Sequence, residues 1–139
     1  MKCHEVMIDN PVCCLPEDNV GHAARLMKRE QIASVPIVAD ESKRELIGVV
    51  TDRDLALKVV GESRDVIRTS VYDVMTAAVV ACRDDDDVNS AVLAMEDYQL
   101  RCIPVINYLG RLVGIISEGD ISIRVAPPMR LVNGLGQAA

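Results

Sequence analysis

The chain of 139 residues has very few aromatic side chains: it contains no tryptophan, no phenylalanine and only three tyrosines. Because half of the residues are hydrophobic, the core must consist of Val, Ile, Leu, Ala and Met. The same scarcity argues against the aromatic stacking platforms on which single-stranded nucleic acids bind. At this length we expect one domain, or two half-domains that share a core.

Concentrated positive charge is missing as well. The formal net charge is −6, and no stretch is dense in Lys and Arg, which argues against DNA or RNA as a partner. No apolar run approaches the length of a membrane span, and the first residues lack the apolar segment of a signal peptide. We therefore expect a cytoplasmic chain that binds neither nucleic acid nor a membrane.

The cysteines form no C-x-x-C pair and are odd in number. They are Cys3, Cys13, Cys14, Cys82 and Cys102. A zinc site built from Cys3-His4 and Cys13-Cys14 is the alternative, but adjacent residues of a strand point to opposite faces. We expect small buried side chains in a reducing compartment, with no disulfide and no metal.

A catalytic set is not recognisable either. The only histidines are His4 and His22, which are far apart in the sequence, and His22 falls in the first turn of a predicted helix. No nucleophile stands beside a base, and the sequence has neither a Walker lysine motif nor G-x-G-x-x-G. We therefore expect that the chain is not an enzyme.

What the chain does contain is an internal repeat. Four blocks recur in one order: Val6–Cys14 with Val74–Cys82, Ala23–Met27 with Ala91–Met95, Ser34–Val38 with Cys102–Ile106, and Leu46–Asp54 with Leu112–Asp120. The first three blocks are 68 residues apart and the fourth is 66 apart. The two lost residues fall in the polar turn before the fourth block, where changes of length are tolerated. One supersecondary unit is therefore duplicated.

Each copy predicts the element order β-α-β-β-α. An extended apolar segment (Pro11–Cys14; Ala78–Cys82) precedes a helix whose N-cap is Asn19 or Asp87. Two strands rich in Val and Ile follow: Ser34–Val38 with Glu45–Val50, and Cys102–Ile106 with Arg111–Ile116. A second helix begins at Thr51-Asp52 in the first copy and at Ser117-Glu118 in the second copy.

We therefore predict an α+β fold in which two β-α-β-β-α units pack sheet to sheet with their helices outside, because one unit cannot bury both faces of its sheet. The first unit covers residues 5–60, a linker covers 61–70, and the second unit covers 71–125. Residues 126–139 lose the periodicity and contain Pro127-Pro128, so a poorly ordered tail is expected there.

The fourth block carries the candidate chemistry. Gly48–Asp54 and Gly114–Asp120 share a pattern: Gly, two apolar residues, a hydroxyl residue, two variable positions and Asp. Free N–H groups and a hydroxyl at a helix start can bind an anion. An Asp three residues later can accept hydrogen bonds from vicinal sugar hydroxyls, as in dinucleotide sites. Together these groups predict a nucleotide-binding site. The alternative is that they only cap and stabilise the helix starts.

The order Val-Met…Pro, Ala-Ala-x-x-Met, S-V-P-I-V and L-I-G-V-V-T-D-R-D resembles the cystathionine-β-synthase (CBS) domain, present as a tandem pair from Glu5 to about Val125. Characterised pairs of this family are regulatory modules that bind adenosine nucleotides in two clefts between the repeats and commonly dimerise. The resemblance implies a stand-alone regulatory module with such clefts.

The resemblance also implies roles for single residues. Phosphate contacts fall to Thr51 and Ser117, and ribose contacts fall to Asp54 and Asp120. The adenine would lie against Ala78–Val80 in the cleft of Asp54, and against Val12–Cys14 in the cleft of Asp120. The backbone at Ala33-Ser34 and at Arg101-Cys102 would line the base as well.

The two clefts differ in their arginines. Arg53 lies inside the first motif, and Gly119 takes its place in the second. Arg101 precedes the second proline strand, where the first copy has Ala33. We therefore expect one phosphate-binding arginine in each cleft, Arg53 in the first and Arg101 in the second, with a solvated surface role as the alternative.

The leading functional hypothesis is a sensor that binds AMP, ADP, ATP, NAD or S-adenosylmethionine, requires no cofactor, forms a homodimer and acts on a separate effector protein. The first alternative is a structural or oligomerisation module whose clefts stay empty. The second alternative is redox sensing through Cys13, Cys14 or Cys102, which would need an exposed thiolate of low pKa.

Overall fold

The computed structural model describes residues 1–124; the predicted tail at 126–139 lies outside them. The first half of the chain contains α1 (Cys3–Val6), β1 (Ile8–Asp9), α2 (Val20–Glu30), β2 (Ser34–Val38), β3 (Leu46–Thr51) and α3 (Asp52–Leu55), which a π-helical turn (Ala56–Val60) continues. The second half contains α4 (Val71–Val74), β4 (Cys82–Arg83), α5 (Val88–Asp97), β5 (Cys102–Ile106), β6 (Leu112–Ser117) and α6 (Glu118–Arg124).

The two long helices begin where the sequence predicts. The side chain of Asn19 accepts a hydrogen bond from the N–H of His22 at 2.8 Å, and the side chain of Asp87 accepts one from the N–H of Asn89 at 2.9 Å. The apolar positions on one face of each helix are buried: Val20, Ala23 and Met27 in α2, and Val88, Ala91 and Met95 in α5. Within residues 1–124 there is no helix of the length and hydropathy needed to cross a membrane.

Two antiparallel strand pairs form the centre of the fold: β2 with β3, and β5 with β6. On one side of the second pair β1 runs antiparallel to β6, and on the other side β4 runs parallel to β5. Isolated residue pairs extend the first pair in the same way, with Thr76 antiparallel to Val49 and Cys14 parallel to Ile37. Both sheets therefore have the same four positions in the same order.

Each sheet takes one outer position from the other half of the chain. β1 belongs to the first half but pairs with β6, and Thr76 belongs to the second half but pairs with β3. The hydrophobic cores show the same exchange: Val71 and Val74 of α4 pack in the first core, and Cys3 of α1 packs in the second core. Neither half completes its sheet or its core from its own residues.

The predicted α+β class is confirmed, but one strand of each unit is shorter than predicted. In the segment Pro11–Cys14 only Cys14 pairs with a strand, and in Ala78–Cys82 only the last residue belongs to β4. Pro11 lacks the N–H that a ladder needs. A repeat pattern does not indicate which copy a segment pairs with. The pairing of the start of each unit with the sheet of the other unit was therefore not predicted.

Two glycines make this crossing sterically feasible. A Cβ on Gly48 of β3 would stand 2.5 Å from Sδ of Met75 and 3.2 Å from the carbonyl oxygen of Thr76. A Cβ on Gly114 of β6 would overlap the side chain of Met7 in the same way. Each methionine therefore packs on a bare strand backbone of the other half, which accounts for the glycine that opens each repeated motif.

We predict that Gly48→Ala lowers the free energy of unfolding by about 1–3 kcal/mol, because the added methyl group overpacks this contact. Urea unfolding followed by circular dichroism measures the change. The control is Gly119→Ala, since Gly119 lies in α6 and a Cβ there meets only Oγ of Ser117 at 3.8 Å. Alanine favours a helix over glycine by about 0.5–1 kcal/mol, so a loss of stability in the control equal to that of Gly48→Ala would contradict the explanation.

Candidate functional site

The two strand–helix junctions are built alike. At the end of β3, Oγ1 of Thr51 accepts from the N–H of Asp54 at 3.0 Å, and Oδ2 of Asp54 accepts from the N–H of Thr51 at 2.9 Å. At the end of β6, the hydroxyl and the N–H of Ser117 donate to Oδ2 of Asp120 at 2.8 and 3.0 Å. Both motifs therefore cap the helix that follows them. A ligand would have to bind groups that already form these capping hydrogen bonds.

Asp54 is less accessible than the sequence predicts. A charged side chain at a helix start is usually exposed, but Asp54 is only 7% exposed and Asp120 is half-buried. Oγ1 of Thr76 lies 3.3 Å from both carboxylate oxygens of Asp54, and Nζ of Lys58 lies 3.0 Å from Oδ1. The cause is the crossover, which brings Thr76 from the second half onto β3 beside this helix start.

An apolar cavity opens next to the first junction. Its volume is about 240 Å³, and its lining residues are Ser34, Val49, Thr51, Thr76, Ala78, Val79, Val80, Leu100, Cys102 and Pro104. The cavity thus contains Thr51 of the first motif together with the segment Ala78–Val80 of the second half. The family resemblance implies that this segment lies in the cleft of the first motif, and the structure brings it and Thr51 to one cavity.

A second cavity of about 480 Å³ adjoins the first, and the two share Ser34, Thr51, Leu100 and Cys102. The further lining residues are Ala33, Asp52, Arg53, Gln99 and Arg101. Arg53 and Arg101 therefore line one cavity beside Thr51, which corrects the prediction of one arginine per cleft. The reason is the contact between the first residues of β2 and β5, Ser34 and Cys102, which brings the residues that precede the two strands to one cavity.

The other junction has a different cavity. A space of about 250 Å³ is lined by Ile8, Asn10, Pro11, Val12, Glu30, Ile32, Pro36 and Ile115. Most of these positions match the first cavity after the shift of the repeat, with Ile8 in place of Thr76 and Val12 in place of Val80. Ser117, Asp120, Cys13 and Cys14 do not line it, and Glu30 is its one charged lining residue. The two clefts are therefore chemically unequal.

Three polar groups at the first cleft were not predicted. Thr76 and Lys58 contact Asp54, and Oγ of Ser34 lies 2.9 Å from Sγ of Cys102 where β2 meets β5. Lys58 follows Asp54 by four residues, so helical spacing was a signal that could have revealed it. The position of Thr76 depends on the crossover, and the Ser34–Cys102 contact depends on the approach of β2 to β5; neither has a signal in the sequence.

All five cysteines lie within the described residues and are free. Burial raises the pKa of the Cys14 thiol to about 12. Burial also raises the pKa of Cys13 and of Cys102, although the hydrogen bond from Ser34 partly offsets this at Cys102. None of the three thiols that the redox alternative needs has the low pKa of a reactive thiolate.

A scan against protein-family models matches residues 3–61 and 71–126 to the CBS domain. The chain belongs to the CBS domain family. It is 35% identical over 112 residues to the uncharacterized protein MK0525 of Methanopyrus kandleri, a match that covers 81% of this chain. The match spans 56% of the length of that relative, so the properties of the whole relative cannot be assigned to this chain.

Solved structures of CBS proteins share the fold. Hypoxic response protein I, solved with two coordinated zinc ions, has a TM-score of 0.81 at 26% identity, covering 89% of this chain and 98% of that chain. CBSX2, solved in complex with AMP, has a TM-score of 0.75 at 24% identity, covering 89% and 95%. Because CBSX2 is only 24% identical to this chain, the similarity between them supports the fold alone.

The burial of Asp54 predicts an unequal effect of removing the two aspartates from the ligand-free protein. Asp54→Ala should lower the free energy of unfolding by about 2–3 kcal/mol, because it leaves donors of Thr51 and Thr76 without an acceptor. Asp120→Ala should cost about 1 kcal/mol, the loss of a helix-start interaction. Urea unfolding without nucleotide measures both losses. Asp54→Asn keeps one acceptor oxygen, so its loss of stability should lie between those of the two alanine variants. A larger loss for Asp120→Ala than for Asp54→Ala would contradict this reading of the two junctions.

Proposed function

We propose that this CBS pair is a regulatory module that binds an adenosine-containing nucleotide in the cleft at Thr51 and passes the state of that cleft to a separate protein. The observation that carries the proposal is the meeting of two kinds of group in two adjoining cavities, an apolar wall for a base and two arginines for phosphate. The carboxylate of Asp54 does not line these cavities, but it is hydrogen-bonded to Thr51 and Thr76, which do.

The base would occupy the apolar cavity. Its walls include Ala78–Val80 and Val49, whose aliphatic side chains would pack against a planar ring. Ligand cavities are mostly apolar with a few placed polar groups, and Ser34 supplies such a group at the border with the larger cavity. Adenine has fewer polar groups on its ring edge than guanine, so it suits these apolar walls better.

The ribose would bind at Asp54. Oδ1 of Asp54 accepts from Lys58 and Thr76, and Lys58 also donates to the carbonyl oxygen of Val74 at 3.0 Å. Vicinal hydroxyls would replace these contacts, since they donate the same kind of hydrogen bond to a carboxylate. Lys58 and Val74 lie on the π-helical turn and on α4, so occupancy of the cleft would reach both elements.

The phosphate would lie in the larger cavity. Arg53 and Arg101 line it beside the hydroxyl of Thr51, and two guanidinium groups can hold a phosphate in bidentate fashion. Ser117 and Asp120 form the corresponding hydroxyl–carboxylate pair of the second junction but do not line the cavity of about 250 Å³. That cavity has Ile8 where the first has Thr76, and a carboxylate from Glu30, so we propose weaker binding there.

The comparisons support this proposal at the level of the family. CBSX2 has been solved with AMP, which shows that a protein of this fold holds an adenosine nucleotide. For this chain the ligand candidates are AMP, ADP, ATP, NAD and S-adenosylmethionine. We further propose that the chain is non-catalytic, acts in the cytoplasm on a separate effector protein, and needs no cofactor.

The decisive experiment is calorimetric titration of the protein with these five ligands and with GMP. We expect an adenosine ligand to bind more tightly than GMP. Arg53→Met and Arg101→Met should each weaken a phosphate-bearing ligand by about tenfold, since a hydrogen bond to a charged group is worth about 1.5–3 kcal/mol. Arg29→Met is the matched control, because Arg29 is paired with its neighbour Glu30 at 2.8 Å and lines none of these cavities.

The outcomes separate the proposal from its alternative. If no adenosine ligand binds at millimolar concentration and none raises the melting temperature, the chain is a structural or oligomerisation module with empty clefts. If a ligand binds but both arginine variants bind like Arg29→Met, the phosphate assignment is wrong.

The homodimer is a separate proposal. Large apolar side chains are exposed on the π-helical turn and near the linker, among them Leu57, Val60, Ile67 and Tyr72, with exposed fractions of 54, 74, 75 and 59%. Isologous pairing would cover such residues in a closed assembly. Multi-angle light scattering at micromolar concentration should give twice the chain mass, and Val60→Asp should shift it toward the monomer. A monomer mass for the unchanged protein would refute the dimer.

A further inference from the structure

Three side chains with metal-binding atoms meet where the chain enters α2. Sγ of Cys14, a carboxylate oxygen of Asp18 and a ring nitrogen of His22 all lie within 4.8 Å of one another. Nε2 of His22 is 4.0 Å from Oδ2 of Asp18. Cys14 is fully buried, whereas Asp18 and His22 are half-buried. The set thus joins a buried thiol to two groups that are partly accessible to solvent.

The thiol of Cys14 differs from the other buried thiols. Cys3 and Cys82 each donate to a backbone carbonyl oxygen at 3.9 Å. Cys14 makes no side-chain hydrogen bond in the part of the chain that the structure describes, and it faces Asp18 and His22 instead. Its one polar atom is therefore directed at two other potential ligands.

The repeat shows which of the three residues lacks a structural explanation. The counterparts 68 residues later are Cys82, Asp86 and Ser90. A core cysteine and a turn-forming aspartate occur in both copies, and each aspartate accepts a backbone N–H, at 2.8 Å for Asp18 and 2.9 Å for Asp86. Only the imidazole is particular to the first copy. His22 therefore converts a structural pair into a set of three donors.

We propose that Cys14, Asp18 and His22 bind a divalent transition-metal ion of the zinc class, with a fourth position open to water. Thiolate, imidazole and carboxylate are the ligands that such ions take. Bonds of about 2.0–2.3 Å in a tetrahedral site require ligand atoms about 3.5 Å apart. Small rotations of the Asp18 and His22 side chains would bring the three ligand atoms from within 4.8 Å of one another to that separation. The site departs from the expectation of no metal, which weighed Cys3-His4 with Cys13-Cys14 but not this set.

The backbone around the site prepares it for this role. Oδ2 of Asp18 is already held by the N–H of Leu15 at 2.8 Å, which orients the carboxylate and leaves Oδ1 for an ion. The carbonyl oxygen of Asp18 accepts from the N–H of Val71 at 2.8 Å, and the N–H of Val20 donates to the carbonyl of Thr69 at 2.9 Å. A bound ion would therefore stabilise the contact between the start of α2 and the linker between the two halves.

The test is titration of the reduced, metal-free full chain with Co²⁺, whose thiolate charge-transfer absorption reports ligation by sulfur, followed by displacement with Zn²⁺. We expect one Co²⁺ per chain at micromolar concentration. His22→Ser, which copies Ser90 and changes a half-exposed side chain, should weaken binding by at least about tenfold, as the loss of even an outer partner does. Cys14→Ala should abolish the charge-transfer band, whereas Cys13→Ser should keep it.

Melting curves give a second readout. Zn²⁺ should raise the melting temperature of the unchanged protein and of Cys13→Ser but not that of His22→Ser, because an ion that binds only the folded state stabilises it. If Cys14→Ala fails to fold, His22→Ser still decides. The proposal is overturned if Co²⁺ produces no thiolate band at millimolar concentration, or if His22→Ser binds Co²⁺ as tightly as the unchanged protein.

Discussion

The exchange of starting segments between the two halves is the constraint on which the rest of the structure depends. α1 and β1 complete the second core and sheet, and α4 with Thr76 completes the first core and sheet. A half-unit without its exchanged segment would leave an open sheet edge and an incomplete core, and both are unfavourable in water. The two halves are therefore expected to fold as one cooperative unit, although the sequence divides into two copies.

The same exchange builds the first cleft. Thr76 reaches the carboxylate of Asp54 only because its segment crosses onto β3, and the residues after it, Ala78–Val80, then form the wall of the cavity beside Thr51. A ligand between these groups touches both halves of the chain at once. The free energy of binding at the cleft would therefore also stabilise the association between the halves, which is the physical basis of the regulation that we propose.

Duplication creates equivalent positions, and later divergence makes them unequal. Ile8 stands where the other copy has Thr76, Gly119 stands where the other has Arg53, and Ser90 stands where the other has His22. The backbone framework is shared, as the two capped junctions and the two aspartate turns show. The polar groups of the proposed nucleotide cleft and of the proposed metal site thus both lie mainly at first-copy positions of a nearly symmetric scaffold.

Local interactions were readable from the sequence, and contacts between the copies were not. The repeat, the caps at Asn19 and Asp87, and the α+β class follow from spacing and capping chemistry, which act over a few residues. The burial of Asp54, the meeting of Arg53 with Arg101 and the grouping of Cys14 with His22 were decided by the tertiary structure. The physical reason is that a duplicated pattern is satisfied equally well by pairing within a copy or across copies, and only packing, through contacts such as Met75 on Gly48, selects between them.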